Sequence, residues 1–238
     1  MKFWGEAHTR NLTPVGVTLL AIALPVASQT IDTNRPGFTF APTVVPHQKL
    51  QFEGGIGYDK YSDSVSAPRA ELRYGAARGV ELFVSSLNWD DGDRADLAMG
   101  TKLAIDTLSN TTQMALLLQV SAPTGDSNIS SDRWDPSAAF IWAHSGALSL
   151  AGTARVTQLG NGVQFDNGLK LILPSPDRRA AFVEWELNWR EGGDAAHWLN
   201  GGYQWLLSDR FQLDVNAGLG LNDEAGDYRV GLGLSRLF

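Results

Sequence analysis

YRVGLGLSRLF, residues 228–238, is the stretch on which the fold turns. Taken by twos, it puts Tyr228, Val230, Leu232, Leu234 and Arg236 on one side and Gly231, Gly233 and Ser235 on the other. Successive side chains of a strand point to opposite faces, so this is a β-strand with one nearly continuous apolar face. Two settings suit it: the edge of a soluble sandwich, or the wall of a barrel whose outer face meets lipid. The rest of the chain separates them.

At 238 residues the chain makes one large domain or two small ones, and its 25 glycines are spread without a linker-like break. It has no cysteine, so neither a disulfide framework nor a thiolate metal site is available. The formal net charge of -7 argues against a nucleic-acid partner, because no broad basic surface is left to neutralise phosphates. No apolar run reaches the ~20 residues of a membrane-spanning helix. Barrel strands hide their apolarity in alternation and are not excluded.

Lys2 and Arg10 precede an apolar run over 15–26, followed by Ala27 and Ser28. This pattern predicts a secretory signal peptide over 1–28, the alternative being a buried N-terminal helix. Residues 29–47 carry Pro36, Pro42 and Pro46, too much proline for a strand within a sheet. They are expected to form an extended arm, periplasmic or folded inward as a plug, with Arg35 on a lumen carboxylate. From 48 onward alternation recurs, predicting strands at 48–59, 68–76, 79–87, 95–105, 113–123, 136–144, 147–157, 162–173, 179–189, 195–206, 210–220 and 227–238.

About twelve antiparallel segments of roughly ten residues make an all-β, transmembrane up-and-down β-barrel over 48–238. With both termini periplasmic, most of the longer connections (60–67, 88–94, 124–135, 190–194, 221–226) fall outside. Mostly tight ones (77–78, 145–146, 207–209) fall inside. Aromatic residues sort the same way. Tyr58, Trp189 and Tyr228 lie near the external end, with Tyr74, Trp142, Trp205 and Phe238 near the periplasmic one, as girdles at two water interfaces require. The inward parity holds Arg69, Glu71, Arg73, Lys102, Arg155, Lys170, Glu184, Glu186 and Asp214. A sandwich core cannot bury so many charges, whereas a barrel lumen can pair or hydrate them.

Several stretches carry a family likeness: DTNRPGF over 32–38, QFEG over 51–54, PTG over 123–125, FVEW over 182–185, NGG over 200–202 and LDVNAGLGLN over 213–222. Together they resemble the outer-membrane proteins labelled as the MetA-pathway of phenol degradation. That resemblance implies a bacterial outer-membrane barrel passing small, often aromatic or hydrophobic, compounds. The closing strand is likewise similar to those that the barrel-assembly machinery recognises, though Arg236 stands where an aromatic residue is usual.

The lumen charges above are then the selectivity candidates. The acidic external loops suggest contact with lipopolysaccharide as well as lipid. Asp90-Asp91-Gly92-Asp93 is read as a hairpin turn in preference to part of a calcium loop, and no metal or cofactor is expected. Two alternatives stand beside a passive channel: a non-conducting structural or lipid-organising barrel, and a lipase- or deacylase-type enzyme. The enzyme would need a serine, a histidine and an acid to converge, yet His144 has only Ser145 beside it on the opposite strand face, and His197 has no nearby serine.

Overall fold

In the computed structural model of the chain the described residues are 30–60, 62–85, 89–105, 109–160 and 162–238, and the side chains of Pro68 and Trp89 are outside that set. The expected signal segment, 1–28, lies outside the described residues. Period-two alternation yields β1 (Leu50–Asp59), β2 (Ser64–Ala77), β3 (Val80–Ser85), β4 (Trp89–Asp90), β5 (Asp93–Arg94), β6 (Leu97–Ile105) and β7 (Thr112–Ala122). It continues through β8 (Asp135–His144), β9 (Ser149–Leu159), β10 (Gly162–Leu173), β11 (Arg179–Arg190), β12 (Ala196–Ser208), β13 (Phe211–Gly220) and β14 (Tyr228–Leu237).

Neighbouring wall strands pair antiparallel in chain order, and β14 returns to β1 with Gln51 opposite Leu237 and Tyr58 opposite Val230. The sheet closes. Among the described residues it is a twelve-strand up-and-down barrel, with β4 and β5 as a small ribbon in the second external connection. Closure leaves no open edge, which is what lets a sheet cross lipid.

Wall-strand boundaries fall within two residues of the sequence expectation, apart from the start of β2. β2 begins at Ser64 and not at 68, because Gly55 pairs with Arg69 while Gly57 pairs with Ser66, leaving an extra residue on β2. The bulge accommodates Pro68, which has no N–H for the ladder and made this stretch look like a loop. β3 ends at Ser85, with 86–88 outside the described residues. Beyond it, β4 and β5 turn through Asp91 and Gly92 at φ 49° and 94°, the paired positive values of a two-residue hairpin.

Outward side chains form an apolar belt. Met99, Leu118, Leu169, Val183, Leu213, Leu232 and Leu234 are each 37–55 % exposed. At the external end Tyr58 packs on Tyr228 with ring centroids 6.2 Å apart, and Trp189 is exposed. At the other end lie Tyr74, Trp142, Trp205, which tilts on Tyr203 at 4.5 Å, and Phe238, whose ring lies 5.4 Å from the Arg236 guanidinium.

Asp96 organises the third external loop, residues 124–135. Its Oδ1 accepts hydrogen bonds from the Thr124 and Gly125 amides at 3.0 and 2.9 Å and from Ser130 Oγ at 2.7 Å; Oδ2 accepts the Ser131 amide at 3.0 Å. Burial alone would raise this carboxyl's pKa, but the donors outweigh it and hold the pKa below the ordinary aspartate value.

Two outcomes follow from this architecture. An arginine in the lipid belt at Leu118 should cost about 2–4 kcal/mol in denaturant unfolding from phospholipid vesicles. A depressed folded-state pKa stabilises the loop above the ordinary aspartate pKa, and that stabilisation disappears as pH falls through the depressed value. Hydrogen-exchange protection at Gly125 and Ser131 should therefore hold at pH 7 and be lost only at pH below the ordinary aspartate pKa of about 3.9. Asp96→Asn should lack most of it at both.

Candidate functional site

Inside the barrel, alternation delivers charged side chains to a space shut off from lipid, where each needs a partner or water. The arm, residues 30–47, runs through that space. Among the described residues it joins no ladder apart from a single bridge of His47 to Gly75, so its own amides and carbonyls also need partners. The two requirements meet.

β2 turns Arg69, Glu71 and Arg73 inward in succession, yet their surroundings differ. Arg73 is fully buried, at 0 % exposure. Its Nε and Nη2 donate to the two oxygens of Glu81, both at 2.9 Å, while Nη1 donates to Glu53 and, at 3.4 Å, to the Asp32 carbonyl. Glu53 also accepts the arm amides of Asn34 and Arg35 at 3.1 Å, and Glu81 accepts that of Val45 at 2.8 Å. Lys102 Nζ donates to Asn34 Oδ1 at 2.9 Å and to the Ala41 and Thr43 carbonyls at 3.0 and 3.2 Å. Glu71 accepts from Asn34 Nδ2 at 2.9 Å.

Across the lumen Glu184 accepts the Phe38 and Thr39 amides at 2.9 and 2.7 Å. Lys170 donates to the Pro36 and Thr39 carbonyls at 3.0 and 2.9 Å, and its ammonium lies 4.5 Å from the centre of the Phe182 ring. Arg35 reaches Asp214 at 3.1 Å and the Leu232 carbonyl at 3.2 Å. Glycine makes room for it: a Cβ added at Gly55 would fall 2.6 Å from Arg35 Nη2, and Gly233, opposite in register, is covered by the same guanidinium.

One part of the lumen departs from the all-polar interior expected from sequence. Phe83, Ala115, Leu117, Ala139 and Ile141 face inward as a buried cluster, with Phe40 of the arm packed on it. The arm, not water, covers this patch, so apolar residues are stable there. The signal was present in β7, whose run of Met114, Ala115, Leu116, Leu117 and Leu118 is apolar on both parities. At the periplasmic end Ile31, Val45 and Leu237 form a second cluster.

On the external side the arm becomes a floor. A cavity of about 650 Å³ rests on Asn34, Arg35, Pro36, Gly37, Phe38 and Phe40 and reaches Asp90, Ala95 and Ile129 between the loops. Arg69, Arg155, Arg229 and Glu186 line it. Arg155 pairs with Asp166 at 2.9 Å and lies 5.1 Å from the Phe38 ring centre; Arg229 binds Glu186 and, at 2.8 Å, Asn200 Oδ1. Arg69 makes neither an ion pair nor a hydrogen bond among the described residues. Of the two later histidines, His144 Nδ1 shares a hydrogen bond with Thr112 Oγ1 at 3.0 Å, and His197 stacks on Trp185 at 5.8 Å.

Residues 33–238 match the family described as "Putative MetA-pathway of phenol degradation". The chain belongs to this family. No curated protein matches it. Among solved structures it is similar to the COG4313 outer membrane channel from Pseudomonas putida F1, with a TM-score of 0.59 and 16 % identity over 86 % of this chain and 99 % of that one. The KdgM porin gives 0.58 at 11 % identity over 80 % and 99 %, and the NanC porin 0.58 at 13 % over 79 % and 98 %. At such identities the likeness is one of fold.

The contrast along β2 is testable. Arg73→Met removes the cation paired with Glu53 and leaves Glu81 only Lys102, 3.8 Å away, and should cost about 3–5 kcal/mol in denaturant unfolding. Arg69→Met, four residues away on the same face, should change stability by less than about 0.5 kcal/mol.

Proposed function

We propose that the protein is a passive outer-membrane channel for small solutes, whose lumen is closed by its own arm beneath an external cavity. One observation carries this reading: inside a wall closed all round, six arm residues, Asn34, Arg35, Pro36, Gly37, Phe38 and Phe40, border the cavity together with the barrel strands. A segment held by hydrogen bonds and ion pairs can leave and return, whereas a strand in the ladder cannot do so without opening the wall. The names of the structural neighbours, a channel and two porins, support the same reading. Arg69, Arg155 and Glu186 then border the mouth, while Arg35, Glu71, Arg73, Lys102, Lys170, Glu184 and Asp214 hold the plug.

In this proposal the protein is a conduit and not an enzyme. The aromatic residues at the two ends sit at the lipid boundaries, the acidic external loops face lipopolysaccharide, and residues 228–238 engage the barrel-assembly machinery. A static, non-conducting plug is the second reading, favoured by how completely wall and arm satisfy each other.

The native chain has no cysteine, which allows a clean lock. An added Cβ at Gly168 would lie 2.5 Å from Thr39 Oγ1, close enough for a disulfide between cysteines at the two positions. In planar bilayers the double variant Thr39→Cys/Gly168→Cys should conduct several-fold more after reduction than when oxidised. Equal current in both states would remove the arm from gating, and silence in both would favour the static plug.

A further inference from the structure

We infer that the external cavity is a binding site for a small carboxylate with a flat apolar body, taken up through the guanidinium of Arg69. This deepens the channel reading and rests on it for the ligand's onward path.

The first observation is an uncommitted cation. Four arginines border the cavity, and three are engaged: Arg35 by Asp214, Arg155 by Asp166 and Arg229 by Glu186. Arg69 has no such partner among the described residues and is exposed to the cavity. A guanidinium holds five donors in a planar fork that matches two carboxylate oxygens. Asp90 borders the same cavity and, like Glu186, acts on Arg69 through space without forming an ion pair with it.

The second is the surrounding field and shape. Arg69 Nη1 lies 3.7 Å from where a Cβ would stand on Gly57, as Arg35 Nη2 lies 2.6 Å from that of Gly55. Inward positions two apart on a strand are about 7 Å from each other, so the two guanidinium groups follow one another along the inner face of β1. An anion approaching Arg69 meets a second positive charge just below it. Gly57 pairs with Gly231 across the β1–β14 seam, so neither strand adds a side chain of its own at that level, and Asn216 Oδ1, 2.6 Å from where a Cβ would stand on Gly231, supplies a polar group there. Phe38 and Phe40, with ring centroids 6.3 Å apart, supply an apolar floor. A carboxylate group answers Arg69, and a flat apolar body suits the two rings. A bare inorganic anion would use only the first of these, and an organic cation only the second.

Isothermal titration of the folded protein in detergent micelles, with sodium benzoate, benzyl alcohol and benzylamine as probes, tests this. Benzoate should bind more tightly than the other two. Arg69→Ala should weaken benzoate about tenfold or more, the loss of a charged hydrogen-bonded contact, while Arg69→Lys retains part of the affinity. Heat-modifiable gel mobility identifies folded variants, and Arg69→Gln replaces Arg69→Ala if the latter does not fold. Benzoate binding no tighter than benzyl alcohol or benzylamine, or unchanged by loss of the guanidinium, would overturn the inference. Titration needs no current, so the two readings fail separately. A silent barrel that binds benzoate through Arg69 keeps the site and loses the channel, and a conducting barrel without that binding does the reverse.

Discussion

A charge inside a lipid-embedded barrel has to find its counterpart within the lumen, and here the counterpart is an arm of the same chain. Arg73 is the centre of this arrangement. It lies without solvent exposure between Glu53 and Glu81, and each of those carboxylates also accepts arm amides. Removing the arm would leave ions with partners missing, and removing the ions would leave arm backbone groups unsatisfied. Each of those states is costly in a low-dielectric interior, so wall and arm are stable together.

The same dependence shapes the rest of the lumen. Glu184 and Lys170 grip the arm from the far wall much as Glu53 and Lys102 do from the near one. Glycines on β1 and β14 leave a seat for Arg35, and the inward apolar patch around Ile141 exists because Phe40 covers it. Opening would uncover several charges at once, so motion of the arm is expected to be concerted and not residue by residue. Only above the arm, where Arg69 stands without a protein partner among the described residues, does the lumen present charge to whatever enters.

Much of the architecture was legible in period-two alternation, because in a barrel every strand is amphipathic in the same sense. The strands from 135 onward fall within two residues of the segments expected from sequence. Pro68 misled at the start of β2, since a bulge can host a residue that a regular ladder cannot. Parity also told which charges face inward, but not which are consumed. Arg69 and Arg73 are equivalent by parity and opposite in surroundings, because the path of a ladder-free arm decides the matter and no periodicity encodes it. The apolar patch of β7 and β8 escapes parity for a related reason: alternation by itself predicts a polar inside, while the two-sided apolar run of β7 calls for cover on both faces.

The most direct test is residue-resolved hydrogen exchange of the arm in the native protein reconstituted in lipid. Amides of Asn34, Arg35, Phe38, Thr39, Phe40 and Val45 each donate to a lumen side chain and should be protected well beyond free-peptide rates. Exchange of these amides at the rates of an unstructured peptide, with the barrel strands still protected, would contradict an arm folded into the lumen.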